Sequence, residues 1–417
     1  MSAAHALPPP RRVLYLVSLF PCWSETFIVR EIEQLLAAGV DVRILSLKPP
    51  SERLVQARAQ ALMDRVQSPQ GLAAELPAVA AECLRSPLAI AALLLACAGG
   101  LWRQPAVLGK TLVALWRGLA ALPSLRRFNP DWLHAHWATY PSTVAWALAR
   151  LLRRPFSFTS HAHDIFVEDQ LLARKLAEAA LPVTISQYNI RHLERWRASG
   201  RGQPFAVVHC GVDLSEVPLK LDERDAALIA SVGRLDPIKG FDVLIPALAR
   251  LAGEGREFRC RIYGEGPQRA ALESARAAAG LAQRLELPGA TPQEAVRALL
   301  SEAAIFVMPS VRTPEGNQDG IPVALMEAMA SGCAVVSTRV SGIPELVEDG
   351  NNGLLVEAGD AAALAAALAR LLDDAELRRR LGIAARASVE NGFDAATEGG
   401  RLLAALQARS RELADAR

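Results

Sequence analysis

This 417-residue chain lacks several features that mark secreted, nucleic-acid-binding or disulfide-stapled proteins. Its six cysteines lie far apart and form no C-x-x-C pair, which argues against a zinc site or a disulfide scaffold and favours reduced thiols in a cytoplasm. The formal net charge of only +2 gives no overall reason to expect nucleic acid as a partner. Residues 1–12 show no signal-peptide pattern, so we expect no leader there.

Long hydrophobic runs are also scarce. The longest, from Leu88 to Trp102, is interrupted by two glycines and is too short to predict a bilayer span. The sequence contains no internal repeat and no long low-complexity linker. With 51% hydrophobic and 22% charged residues the chain is globular, and its length exceeds that of one ordinary core. Two domains are therefore predicted.

Short apolar runs rich in strand-forming residues alternate with helical patterns along the chain. This alternation predicts parallel sheets covered by helices on both faces. The series of strands restarts after a seam near residues 211–225, so we expect two doubly wound units with a ligand site in the cleft between them. The predicted strands are 13–19, 41–47, 131–135, 156–160, 182–186 and 205–209, then 228–233, 258–263, 304–309 and 334–338.

The most informative segment runs from Asp319 to Gly332. Pro322 suits the first position of a helix and Gly332 suits its end. The predicted helix has one polar side chain, Glu327, and a carboxylate in an apolar helix is costly unless something binds it. Asp319 precedes the helix, where backbone N–H groups favour an anionic ligand. The alternative is an ordinary helix start with an acidic turn and a partly exposed glutamate.

Two further loops each follow a predicted strand. In the loop from Gly233 to Gly240, Arg234 and Lys239 suit a diphosphate, although the loop lacks the G-K-[ST] ending of a P-loop. The turn Gly264-Glu265-Gly266 would let a ligand approach the backbone closely. Each loop taken alone is equally consistent with a solvated turn.

Four histidines follow two strands of the first unit. His161 and His163 come after strand 156–160, where they would face the cleft, unless they are surface histidines beside an aspartate. His134 and His136 would share one face of an extended chain. For these two the sequence favours polar residues at the rim of the sheet. No usual ligand spacing links the two pairs, so no metal site is predicted.

Taken together, these motifs resemble glycosyltransferase family 4, whose members are retaining enzymes of the GT-B fold. The second unit carries GRLDPIKG (233–240), YGEGP (263–267), VMPS (307–310), DGIPVALMEAMASG (319–332) and SGIPELVEDGNNGLLV (341–356) in the expected order and spacing. The first unit resembles exopolysaccharide or colanic-acid-type members through FPCWSETFIVREI (20–32), HAHWATYP (134–141) and FSFTSHAHDIF (156–166).

The resemblance implies a GT-B fold, with two Rossmann-like domains facing across a cleft. It implies an acceptor-side domain over residues 1–213, a nucleotide-sugar domain over 214–385, and helices over 386–417 that pack back on the first domain. It also implies roles for individual residues. Arg234 and Lys239 would hold the diphosphate, Asp319 the sugar hydroxyls, Glu327 the ribose, and His161 would approach the donor sugar. The remaining predicted donor contacts are Gly264, Glu265, Gly320 and Ile321.

Asp319 departs from the family pattern, which has glutamate at this position. The charge is retained and the side chain is one methylene shorter, which affects the sugar contact rather than the class of reaction. The chain has no Asp-x-Asp motif, so leaving-group charge would fall on Arg234, Lys239 and helix N-termini without a metal or other cofactor. The predicted reaction moves a hexose, with retention of configuration, from a nucleoside-diphosphate sugar to a saccharide acceptor, which we expect to be lipid-linked.

Three other classes of protein are alternatives to this prediction. A nucleotide-sugar epimerase or a phosphorylase shares the fold but not the motifs, and a dinucleotide-binding oxidoreductase would need G-x-G-x-x-G after the first strand. A non-catalytic sugar-nucleotide-binding protein, or one of altered specificity, remains open because of Asp319.

A last expectation concerns residues 83–130, which contain six cations and no acidic residue. A helix beginning at Pro105 would align Lys110 and Arg117 beside leucines and a tryptophan, as in an interfacial amphipathic helix. The sequence therefore predicts peripheral contact with an anionic membrane surface, at the inner face of the membrane. The alternative is that these helices pack on the first domain and their cations are solvated.

Overall fold

The computed structural model describes residues 10–23, 25–51, 55, 57–197 and 202–415. They form two compact units, the first reaching Val208 and resuming at Glu398, the second spanning His209–Thr397. The sequence placed the first boundary after residue 213 and separated residues 386–417 from the second domain. In the structure the chain returns to the first unit at Glu398, twelve residues after the predicted position 386. The predicted absence of a leader concerns residues 1–12, of which 1–9 lie outside the described residues.

The first unit is built on a seven-stranded, wholly parallel sheet with the order β3-β2-β1-β4-β5-β6-β7. The inner strands are buried along most of their length, because helices cover both faces of a parallel sheet. The strands are β1 Arg12–Leu19, β2 Asp41–Lys48, β3 Val66–Gln67, β4 Trp132–His136, β5 Phe156–Ser160, β6 Leu181–Thr184 and β7 Ala206–Val207.

Nine helices of the described chain connect these strands. Three of them, α3 to α5, fill the long connection between β3 and β4 that contains the predicted membrane segment. The helices are α1 Thr26–Ala37, α2 Ala57–Gln60, α3 Leu72–Arg85, α4 Pro87–Leu101, α5 Pro105–Phe128, α6 Tyr140–Leu152, α7 His163–Phe166, α8 Leu172–Glu178 and α9 Gln187–Leu193.

The second unit repeats this architecture with six parallel strands in the order β10-β9-β8-β11-β12-β13. Its strands are β8 Asp225–Val232, β9 Arg259–Tyr263, β10 Leu285–Gly289, β11 Ala303–Met308, β12 Ala334–Thr338 and β13 Leu354–Val356. Its helices are α10 Phe241–Gly253, α11 Arg269–Ala278, α12 Gln293–Glu302, α13 Val323–Ser331, α14 Ile343–Leu346, α15 Ala361–Asp373 and α16 Ala375–Gly392.

The last helix, α17 (Ala395–Asp415), returns the chain to the first unit. Leu402 and Leu406 are fully buried in the cluster formed by β1, β2 and α1. The Arg409 side chain also donates a hydrogen bond to the carbonyl oxygen of Ala180. The C-terminal helix thus covers one face of the first sheet.

Helix α5 is long and apolar enough to cross a membrane by length and composition alone, and α3 with α4 would pass the same test if they were counted as one bent span. However, α5 buries a continuous side against the first unit's core, including Ala114, Leu122 and Leu125. One side of α5 is therefore part of the first unit's core.

Candidate active site

In the second unit, the loops that follow β8 and β11 lie against each other. Gly240 has a φ of +67°, and a Cβ there would overlap the carbonyl oxygen of Pro309. The N–H of Val311 donates to the carbonyl of Ile238 at 2.9 Å. This contact places the end of the predicted diphosphate loop beside the segment that leads to Asp319.

The loop after β9 packs equally tightly on the start of the same loop. A Cβ at Gly264, whose φ is +148°, would overlap the carbonyl oxygen of Gly233, so this glycine is required by packing between loops. Glu265 instead turns to Arg269, whose Nε lies 2.8 Å from its Oε1, and this pair lowers the pKa of the carboxyl group. The Glu265 side chain is half exposed.

Lys239 and Asp319 meet where these loops converge. The Lys239 Nζ donates to Asp319 Oδ2 at 2.5 Å, and the Ser310 hydroxyl donates to the same oxygen at 3.3 Å. Both charged side chains are only about one-seventh exposed, at 15% and 14%. Arg234, in contrast, is 72% exposed, and its Nε lies 3.9 Å from an Asp236 carboxylate oxygen. The loop thus carries one cation that is paired and one that projects into solvent.

The helix predicted from the 319–332 segment is α13. Pro322 is its N-cap residue rather than its first helical residue, and Gly332 ends it with a φ of +91°. Gly320 and Ile321, just before the helix, are buried. Glu327 is 6% exposed, and its Oε1 accepts a 3.4 Å hydrogen bond from Gln293 of α12. Gln293 therefore provides the hydrogen-bond partner that a buried carboxylate requires.

In the first unit, the placement of His134 and His136 at the rim of the sheet was wrong. Both are buried on β4, at 0% and 1% exposure, because helices cover this strand on both sides. Their rings share one face as predicted and lie 5.2 Å apart. The Ser157 hydroxyl lies 2.7 Å from His134 Nδ1, and the Thr159 hydroxyl lies 3.2 Å from its Nε2.

His161 extends this buried group beyond the end of β5. Its Nε2 lies 3.1 Å from His136 Nδ1, and its ring packs on that of Trp137 at 4.3 Å. Buried Asp164 fixes the local backbone by accepting from the N–H groups of His161 and Ala138. His163, two residues on, is half exposed. Of the two candidates in this loop, His161 is the one built into a network.

Glu31 on α1 lies at the far end of this network. Its Oε1 accepts from the Tyr15 hydroxyl at 2.7 Å and from His136 Nε2 at 2.9 Å. A carboxylate only accepts, so His136 carries a proton on Nε2. The other ring nitrogen of His136, Nδ1, shares its hydrogen bond with His161 Nε2. The result is a continuous hydrogen-bonded chain from Glu31 through His136 to His161.

Burial dominates the electrostatics of this group. It lowers the pKa of His134 to about 3 and that of His161 well below its ordinary value, so both rings are neutral near pH 7. Burial alone would raise the pKa of Glu31, but the nearby histidines and the Tyr15 hydroxyl outweigh it and lower that pKa to about 2.

The same residues are the candidates for holding a metal. One ligand atom each from Glu31, His134 and His136 lies within 4.8 Å of the others. Both ring nitrogens of each histidine, and the Oε1 of Glu31, already take part in the hydrogen bonds just described. We therefore describe the group as a hydrogen-bond network, and metal independence stays a prediction.

Sequence reasoning missed Glu31, Tyr15, Ser310 and Gln293. One signal could have indicated Glu31: it lies four residues after Phe27 on α1, so the two share a helix face. The Phe27 ring lies 4.9 Å from that of His161. Ser310 lies in the VMPS motif, but the motif alone does not indicate its hydrogen bond to Asp319. Gln293 carried no such signal, because its contact with Glu327 joins two separate helices.

Two parallel-sheet units, with charged side chains gathered at the carboxyl ends of the strands, have the architecture of GT-B proteins. The chain belongs to glycosyltransferase family 4. The family profile "Glycosyltransferase Family 4" matches residues 24–216, and the profile "Glycosyl transferases group 1" matches residues 218–388. The two matches together cover both units.

Individual relatives agree with this assignment. The chain is 33% identical to an Escherichia coli (strain K12) protein named for colanic acid biosynthesis, the glycosyltransferase WcaL, over 95% of this chain and 100% of the relative. It is also 43% identical to the amylovoran biosynthesis glycosyltransferase AmsK of Erwinia amylovora, over 45% of this chain and 47% of the relative.

Solved structures show the same fold. The Anabaena protein Alr3699/HepE, crystallised with UDP, superposes with a TM-score of 0.68 at 18% identity, covering 95% of this chain and all of the other. The sucrose-phosphate synthase of Thermosynechococcus elongatus superposes with a TM-score of 0.69 at 21% identity, over 94% and 98% of the two chains.

Proposed function

We propose that this glycosyltransferase moves a hexose from a nucleoside-diphosphate sugar to a saccharide acceptor, carried on a lipid, during exopolysaccharide synthesis in the cytoplasm. Configuration is retained and no metal ion takes part. The names of the colanic acid and amylovoran relatives support the polysaccharide acceptor. HepE structures with UDP and with UDP-glucose support a nucleotide-sugar donor.

The observation that carries this proposal is the pairing of Lys239 with Asp319 beside the first turn of α13. In the proposal, Lys239 and Arg234 bind the diphosphate, and the N-terminal amides of α13 add to the positive field. Positive groups fixed at this position stabilise the charge that develops on the leaving diphosphate. Asp319 then accepts hydrogen bonds from the sugar hydroxyls, and buried Glu327 accepts them from the ribose.

The bond changes balance without a further reagent. The bond from the anomeric carbon to the diphosphate oxygen breaks, and the acceptor oxygen forms its bond on the same face of the sugar. The leaving diphosphate oxygen takes the acceptor's proton. We assign no covalent nucleophile, because a retaining double displacement needs a carboxylate placed against the anomeric carbon. The part of His161 in this reaction stays a prediction.

A donor panel tests the proposal. The protein is heated with UDP, GDP, ADP and their sugars, since a ligand that binds the folded state raises its melting temperature. The donor that stabilises it is then supplied radiolabelled with a lipid-extract acceptor, with and without EDTA. We expect transfer unaffected by EDTA and an α-linked product from an α-linked donor. Nucleotide binding without transfer to any acceptor would indicate a binding protein, and loss of transfer in EDTA would refute metal independence.

A further inference from the structure

Helix α4 is apolar on every side although only one side is buried. The buried side consists of Ile90, Leu93, Cys97 and Leu101. On the opposite side Leu88 and Leu95 are 85% and 73% exposed. No residue from 86 to 102 is charged. A helix at the surface of a globular protein normally places polar residues opposite its buried stripe, so α4 departs from this rule.

The exposed apolar side chains form a continuous strip along α4. Leu88, Leu95 and Trp102 follow one another at intervals of seven residues, which puts them on one side of the helix. Trp102 is 66% exposed. At the other end α3 meets α4 at a bend of 106°, and Leu84 beside this corner is 84% exposed. The strip therefore runs from the corner to the end of the helix.

Cations flank this strip at both ends. Arg85 directly precedes α4 and Arg103 directly follows Trp102, and both are exposed. The Arg103 guanidinium lies over the Trp102 ring, 4.8 Å from its centre. Tryptophan and arginine at the edges of an apolar segment are typical of the headgroup region of a bilayer.

The basic face predicted on α5 is wrong for Arg117, because the structure uses this cation and Arg126 internally, whereas Lys110 is exposed. Arg117 donates to Glu75 at 2.7 Å and Arg126 donates to Glu82 at 2.8 Å. Both glutamates belong to α3 and are almost fully buried. These ion pairs hold α3 against α5, and they remove Arg117 and Arg126 from any membrane-facing surface.

We propose that the outer side of α4, from Leu84 to Arg103, lies in the headgroup and upper acyl region of an anionic bilayer. We call this surface the α4 strip. It deepens the proposed function, on which it rests, by locating the surface that would bring the enzyme to a lipid-linked acceptor. The leucines enter the apolar layer, and Arg85, Arg103 and Trp102 lie at headgroup level.

A bilayer fits the α4 strip better than a protein partner. Protein interfaces make about one hydrogen bond per 100–200 Å² and carry a polar rim. Between Leu88 and Gly100 the exposed residues are leucines, alanines and glycines, whose side chains make no hydrogen bonds. Lipid tails require none, and anionic headgroups complement the flanking arginines.

The helix lies on the membrane rather than across it. Its 15 residues span about 22 Å, against a hydrocarbon thickness of about 30 Å. Leu93 and Cys97 are also held in the first unit's core, so the buried side cannot turn toward lipid without unpacking.

Vesicle co-sedimentation of the full chain tests the proposal, without donor or acceptor, so the result does not depend on catalysis. We compare the wild type with Leu88→Glu/Leu95→Glu on vesicles of phosphatidylcholine with 30% phosphatidylglycerol. We expect the partition coefficient of the double variant onto these vesicles to be at least tenfold lower than that of the wild type. Arg85→Gln and Arg103→Gln should each bind anionic vesicles about fivefold more weakly, because one cation near an anionic surface contributes about 1 kcal/mol to binding. Their binding to pure phosphatidylcholine vesicles should be unchanged.

The matched control is Ile383→Glu, which places the same charge on an exposed apolar residue of α16 in the second unit. It should bind vesicles as the wild type does. Absence of wild-type binding, or equal losses in the control, would overturn the proposal. So would a wild-type dimer in sedimentation velocity that Leu88→Glu/Leu95→Glu dissociates, because the strip would then be a protein interface. Transfer to a soluble acceptor, measured on the same variants, reports separately on the proposed reaction.

Discussion

Lys239 and Asp319, 80 residues apart in the chain, form an ion pair of 2.5 Å between Nζ and Oδ2. The resemblance assigned the lysine to the diphosphate and the aspartate to the sugar. In the structure each is the other's partner, and the Ser310 hydroxyl supports the aspartate. Substituting one of them changes the surroundings of the other, so their effects on activity should not be additive.

The first prediction concerns the two cations of the diphosphate loop. Arg234→Ala and Lys239→Ala should each lower kcat by about 10²–10³-fold, the loss expected when one preorganised charge is removed. Arg234→Ala should leave the melting temperature unchanged, because that side chain is 72% exposed. Steady-state kinetics and thermal unfolding provide both values.

The exposed Arg250 of α10 gives a matched control for this pair. Arg250→Ala removes the same kind of charge from the same unit and should turn over at the wild-type rate. Wild-type turnover in Arg234→Ala and Lys239→Ala would end the assignment of the loop to the diphosphate.

The second prediction separates the two acids. Glu327→Ala should weaken binding of the free nucleoside diphosphate, because the ribose would lose its acceptor. Asp319→Ala should lower turnover with the sugar donor. It should leave the affinity for the free nucleotide unchanged or raised, because Lys239 would lose its competing carboxylate. Isothermal titration with nucleotide, alongside donor kinetics, measures both effects.

Equal losses of free-nucleotide affinity in the two variants would contradict this division. Asp319→Glu is the sharper probe, since it restores the side chain usual in the family. Unchanged donor selectivity and turnover in this variant would mean that the shorter acid carries no specific selection of the sugar.

The sequence predicted the architecture because parallel strands buried on both faces leave uninterrupted apolar runs, as in β1 and β11. It missed β3, β10 and β13, which are edge strands and are short or partly exposed. A helix cap can be predicted from the sequence where a single side chain makes the capping hydrogen bonds. Asp360 is of a residue type preferred at the N-cap, and it accepts from the N–H groups of Ala362 and Ala363 at the start of α15.

The candidate site could be predicted from the sequence only where its residues are close together along the chain. The loop with Arg234 and Lys239 and the segment from Asp319 to Glu327 could each be recognised on their own. The ion pair between them could not, because it depends on two loops meeting beyond β8 and β11. The link from Glu31 to His136 spans 105 residues. Likewise, the absence of acids from residues 83–130 suggested unpaired cations, while Glu75 and Glu82 lay just outside that window.

The third prediction concerns the histidine loop. His161→Ala should cost more activity than His163→Ala, because His161 is buried and hydrogen-bonded to His136 whereas His163 is half exposed. Single-turnover rates with labelled donor compare the two. Circular dichroism checks that both variants fold, and His161→Asn provides a second test that retains polarity. A greater loss in His163→Ala than in either His161 variant would show that the other histidine acts.

The fourth prediction is a loss of stability in acid that originates in the first unit. In the folded state the pKa of His134 is about 3, below the ordinary 6.5. The unfolded chain therefore binds more protons below pH 6.5, and the free energy of unfolding falls as the pH falls from there toward 3. The lowered pKa of His161 acts in the same direction, as does that of Glu31 below about pH 4.5.

Tryptophan fluorescence can follow this unit alone, because all seven tryptophans lie between residues 23 and 196. Between pH 7 and 5, one histidine neutral in the folded state should cost about 2 kcal/mol of unfolding free energy. In urea unfolding, the free energy of unfolding of His134→Gln should fall between pH 7 and 5 by about 2 kcal/mol less than that of the wild type. This difference does not depend on how stable the variant is at pH 7. Buried Lys175 and Asp164 also have shifted pKa values. Both residues are present in the variant and in the wild type, so their contributions cancel in this difference. His163→Gln should retain the acid loss, and an undiminished loss in His134→Gln would mean that His134 does not cause it.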